Sequence, residues 1–179
     1  MNMRGKSGKA ASRAALGGVL AALSLLLLYL AAMMPSGRLG MVAVAGLVPA
    51  AGVVSGGLAA GFLCYGAAGI LALILLPDKG CALLYIIFFG LYPMVKSLIE
   101  RLRTLAVEIL LKLVFFNAVL ALALLAFSAF LLPLLPKLLN STLLIFVVGN
   151  IVFLIYDYGF SKLITYYASR IRKATRKYR

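Results

Sequence analysis

The stretch AALGGVLAALSLLLLYLAAMM, Ala14–Met34, runs for twenty-one residues without a charge, and only Ser24 and Tyr29 in it carry polar side chains. As an α-helix it rises about 30 Å, the thickness of a bilayer's hydrocarbon core. Arg4, Lys6, Lys9 and Arg13 precede it, so it resembles the basic start and apolar core of a secretory signal. A signal core is only about 7–15 residues long, however, and a retained membrane span is the better reading.

Working outward, five more apolar segments follow. The second is Leu39–Val54, after the turn cluster Pro35-Ser36-Gly37. It is short and contains Gly46 and Pro49, so it is expected to be irregular or packed inside the bundle, where freed backbone groups find partners. The third, Leu58–Leu76, follows Ser55-Gly56-Gly57 and closes at Pro77-Asp78-Lys79-Gly80. The fourth, Cys81–Leu98, has Pro93 near its end, and the charged stretch from Lys96 to Arg103 leads into the fifth, Leu105–Leu132. Pro133 and Pro136 prevent that helix from continuing. The sixth runs from Thr142 to about Phe160. The expected fold is therefore all-α, a polytopic membrane protein of six transmembrane helices. Residues 1–13 form a basic N-terminus, 14–160 the membrane domain and 161–179 a basic tail.

Residues AVILMFWYC make up 65% of the 179 positions and charged residues only 12%, with 18 Lys and Arg against 4 Asp and Glu. The net charge of +14 would suit nucleic acid, but here the cations are separated by spans that water cannot solvate. The positive-inside rule and attraction to anionic lipid explain them better, and no nucleic-acid partner is expected. Fifteen cations fall at the N-terminus, between spans four and five with the start of span five, and in the tail. Arg38, Lys79 and Lys137 occupy the opposite connections. This places both termini in the cytoplasm of a multi-pass cell-membrane protein, which needs an even number of spans.

Within the spans, Ala14, Gly18 and Ala22 form a stripe of small residues at helical spacing. Gly52–Gly56 and Gly57–Gly61 are GxxxG pairs. Such stripes permit close backbone approach, either between helices of one chain or against another membrane protein. Lys96 lies four residues before Glu100, and Glu108 four before Lys112, so each pair shares a helix face. Asn117 lies in span five. Asn150 and Asp157 are seven residues apart in span six, on nearly the same face. That face is expected to turn inward, with Asn150 bonding a neighbouring helix or bordering a cavity, and Asp157 close to the cytoplasmic interface meeting a cation such as Lys112 or Lys96. Ile164, Tyr167, Ile171 and Tyr178 recur along the basic tail, as in an amphipathic helix at the lipid surface.

Enzyme chemistry has little support. The chain has no His, no HExxH or GxSxG motif and no phosphate-cradling glycine loop before a lysine. Cys64 and Cys81 lack CxxC spacing and read as small buried hydrophobes. No catalytic residue, metal site or cofactor is expected. Without an ATP site, any transport is passive, ion-coupled or powered by a partner.

The basic start, the stripe from Ala14 to Ser24, the proline in Leu47-Val-Pro49 and the sequence Gly57-Leu-Ala-Ala-Gly61 resemble the membrane-embedded substrate-binding subunits (S components) of energy-coupling factor transporters. The resemblance extends in topology over most of the chain and implies an S-component-like bundle. In that family a small-residue stripe on the first helix docks the transmembrane coupling subunit, which works with ATPases; here it would be Ala14, Gly18 and Ala22, with glycine at the centre. The resemblance also implies an outward-facing pocket for a small, micronutrient-like molecule near the ends of spans four to six. The polar groups available for it are Tyr85, Asn140, Ser141 and Asn150, with Asp78 and Lys79 as a lid. A second resemblance, to the MreD family of cell-shape proteins, implies a non-transporting scaffold for envelope assembly instead.

Overall fold

The computed structural model describes residues 3–102, 104–131 and 142–177, and all the regular structure among them is helical. The elements are α1 (Met3–Met33), α2 (Arg38–Gly56), α3 (Leu58–Leu75), α4 (Lys79–Leu84), α5 (Tyr92–Ile99), α6 (Leu105–Leu131) and α7 (Thr142–Lys177). A π-helical segment, Tyr85–Phe89, joins α4 towards α5, and a 3-10 turn, Glu100–Leu102, follows α5. Among the described residues six stretches are long and apolar enough to cross a membrane, the fourth being the composite Lys79–Leu102. The chain divides into two compact units, the first ending at Val95 and the second starting at Lys96.

In the first unit, α1, α2 and α3 pack on one another through small residues. Gly17, Ala21, Ser24, Leu28 and Ala31 form the buried face of α1. A Cβ at Gly52 would lie 3.3 Å from the Ala60 carbonyl oxygen and the Gly61 Cα, and one at Gly56 would lie 2.6 Å from the Ala60 Cβ. The GxxxG pairs thus set the α2–α3 approach. The turns before α2 and α3 rest on Gly37 and Gly57, whose φ angles of 77° and 80° favour glycine.

Pro49 does lie inside α2. Proline has no N–H to give to the carbonyl four residues back, here that of Ala45. The Ser24 hydroxyl of α1 donates to that oxygen at 3.3 Å, so the freed group is satisfied within the bundle. The fourth span is more broken than a single helix from Cys81 to Leu98. The Gly90 amide reaches back to the Tyr85 carbonyl at 2.7 Å, one residue beyond α-helical register. Pro93 then cannot bond to the Phe89 carbonyl, and α5 restarts the helix around it. Gly46 of α2 lies against this segment, since a Cβ there would stand 2.6 Å from the Phe89 oxygen.

The second unit holds α6 and α7 with the end of the fourth span. α7 is one unbroken helix of 36 residues, about 54 Å long, so the sixth span and the tail share a helix. The Pro133–Pro136 connection lies outside the described residues.

Candidate functional site

Among the described residues of the second unit, two groups of polar side chains bridge helical elements. The larger joins three helical elements. Lys96 of α5 bonds Glu100 at 2.8 Å, Asp157 of α7, and the Ser161 hydroxyl at 2.7 Å. Lys112 of α6 bonds Glu100 at 2.9 Å and Asp157 at 3.2 Å. Both lysines therefore touch both carboxylates, closing a four-membered ring of alternating charge with no net charge. Lys96 is 1% and Lys112 6% exposed, whereas the Glu100 side chain is 40% exposed. Only four acidic residues exist in the chain, and two of them sit here. Charge in hydrocarbon is costly unless paired, and the ring meets that requirement. Ser161 completes it by also donating to the Asp157 carbonyl at 2.8 Å.

Two helical turns from Asp157 towards the start of α7, Asn150 and Asn117 exchange amide hydrogen bonds, each 2.9 Å. Each also donates to its own helix at 2.8 Å, Asn117 to Leu113 and Asn150 to Phe146. Phe116 and Phe153 stack nearby with ring centroids 4.6 Å apart, and Gly149 leaves room for the Phe116 ring. Asn150 and Asp157 thus face into the unit, as helical spacing predicts, and Asp157 meets both lysines rather than one. The expected Lys96–Glu100 pair forms. Among the described residues Glu108 makes no ion pair with Lys112, which turns instead to Glu100 and Asp157.

Each described residue among those expected to hold a small molecule has partners within its own unit. Asp78 accepts from the Gly80 amide at 2.9 Å, capping α4, and pairs with Arg38 at 3.0 Å. Lys79 donates to the Leu73 and Leu76 carbonyls at 2.7 and 2.8 Å, closing the end of α3. Tyr85 is fully buried in the first unit and donates to Ser24 at 3.5 Å. Asn150 belongs to the second unit and is occupied by Asn117. Asn140 and Ser141 lie outside the described residues.

Some contacts escape sequence reasoning. Ser24 meets both Tyr85 and Cys64 in a buried polar contact of the first unit, with Ser24 and Cys64 3.9 Å apart. Tyr65 donates to the Ile86 carbonyl in the π segment at 2.9 Å. Ser161 had one available signal, its position four residues after Asp157 on the polar face of α7.

The stripe of α1 is placed clearly. Ala14, Gly18 and Ala22 are all exposed, and a Cβ built on Gly18 meets nothing within 4 Å. Gly17, one position away, packs against Leu63 of α3, where a Cβ would come within 3.0 Å.

Six helices among the described residues that are long and apolar enough to cross a membrane define the class, a multi-pass α-helical membrane protein. No protein-family model, curated protein or solved structure matches the chain.

Proposed function

We propose that the protein is a membrane-embedded, S component-like subunit of a small-molecule uptake transporter, energised by a transmembrane coupling subunit and its ATPases. The observation that carries this reading is the outward stripe of α1. One face of the helix is spent on α2 and α3, while Ala14, Gly18 and Ala22 remain uncovered. Small residues facing lipid gain little there, but they allow a partner helix to approach closely. Both termini lie in the cytoplasm, on the strength of the fifteen-to-three division of cations. This puts the start of α1 beside a cytoplasmic ATPase. In this reading the chain supplies no catalysis and takes its energy from the partner.

Affinity purification from native membranes in mild detergent tests the proposal. A complex carrying ATP hydrolysis supports it, and a protein recovered alone, or only with envelope-synthesis proteins, contradicts it.

A second reading, a non-transporting scaffold for envelope assembly, is favoured by a different observation. Among the described residues, the candidates Asp78, Lys79, Tyr85 and Asn150 are all engaged in bonds within the fold. A thermal-shift screen over a panel of micronutrients separates the two, since a scaffold gains no stability from any of them.

A further inference from the structure

We infer that the ring of Lys96, Glu100, Lys112 and Asp157 is an electrostatic latch between α6 and α7, and that Glu100 is the corner at which it opens. This inference stands independently of the transport reading. Only 6% of the apolar stretch of α6 and 17% of that of α7 are buried, against 33% or more in each of the other four spans. In lipid, apolar side chains gain little from one another, so helices with so little burial are held chiefly by polar contacts and close packing. Among the described residues the contacts between α6 and α7 include Lys112–Asp157, the Asn117–Asn150 exchange, the Phe116–Phe153 stack and the approach of Phe116 and Leu120 to Gly149.

The ring is balanced, and that balance is what lets two nearly fully buried ammonium groups stay charged. Asp157 is held between the two lysines with its side chain 18% exposed. Glu100 is different. It lies on the 3-10 turn that ends the fourth span, at 40% exposure, with both lysines on one carboxylate oxygen. Loss of its charge leaves two lysines sharing one carboxylate, a net positive charge on the ring. Lys112 is the one ring member on α6. Its route to water is to leave Asp157, which separates α6 from α7. Lys96 is braced by Ser161 and by the Phe160 ring, 5.8 Å from its ammonium, and stays with α7.

The latch is tested in the full-length protein in lipid nanodiscs, with Cys64 and Cys81 replaced by alanine. Nitroxide labels go on the exposed positions Val114 of α6 and Ile151 of α7, and their separation is measured by pulsed electron spin resonance. The reference protein should give a single narrow distance. E100Q, which keeps the shape and removes the charge, should lose it to a broader, longer distribution. Adding K96M restores neutrality and leaves the Lys112–Asp157 bond between the two helices, so E100Q/K96M should return the narrow distance. An unchanged distance in E100Q, or a double variant as open as E100Q, would overturn the inference. Where E100Q alone does not accumulate, recovery of folded protein on adding K96M supports the latch, and failure to recover it overturns the latch.

Discussion

At the scale of residues, the fold depends on a few polar groups whose partners are fixed by what the backbone lacks. Pro49 leaves the Ala45 carbonyl without its helical donor, and Ser24 supplies one from α1. Replacing Ser24 with alanine leaves a buried acceptor bare, so thermal unfolding in detergent should show a loss of about 1–3 kcal/mol. The Asn117–Asn150 exchange should show a coupling of about 0.6–1.7 kcal/mol in a double-alanine cycle. Asp157→Asn should cost more, about 3 kcal/mol, because Lys96 and Lys112 both lean on that carboxylate. These sites were unequally legible. The helical spacing of Asn150 and Asp157, with so few other charges, was enough to turn their face inward and to point Asp157 at the lysines. The Ser24 bond was hidden, because the sequence reveals which carbonyl a proline frees but not which side chain will lie across from it. The Glu108–Lys112 expectation failed for a related reason. Local spacing permits an i,i+4 pair, but a lysine close to two carboxylates on other helical segments leaves the more local one.

Among the elements, α1 shows how adjacent glycines take opposite roles. Gly17 abuts Leu63, whereas Gly18 is open. Gly17→Leu should therefore disrupt the first unit and abolish monodisperse protein in size-exclusion chromatography. Gly18→Leu should leave the isolated protein folded with an unchanged melting temperature, while recovery of the partner complex falls at least tenfold. Equal damage to the isolated protein from both substitutions would assign both residues to internal packing. The small-residue stripes were readable in the sequence, but their sides were not, since one helical position separates the two faces. For the fourth span the sequence predicts one apolar segment with a late proline. Its π segment depends on close packing at Gly46 and on the Tyr65 bond to Ile86, contacts distant in sequence.

Over the whole molecule, six apolar segments and their flanking charges made the membrane architecture legible, because length and hydropathy alone select residues able to cross a bilayer. A reporter fused after Arg179 should be active only as a cytoplasmic fusion, and activity only as an external one would undo the proposed orientation. The helix-end bonds of Asp78 and Lys79 were not legible in the same way. Polar residues at span ends serve equally well as helix caps, and Asp78 and Lys79 are used so here. The central claim concerns what covers the outward face of α1. A photo-crosslinking amino acid at Gly18, with one at the exposed Ile70 of α3 as control, tests it in native membranes. Position 18 should crosslink to a hydrophobic membrane subunit that co-purifies with ATP hydrolysis, and position 70 should not. Adducts at position 18 with lipid alone, or with the same proteins as at position 70, would contradict the account.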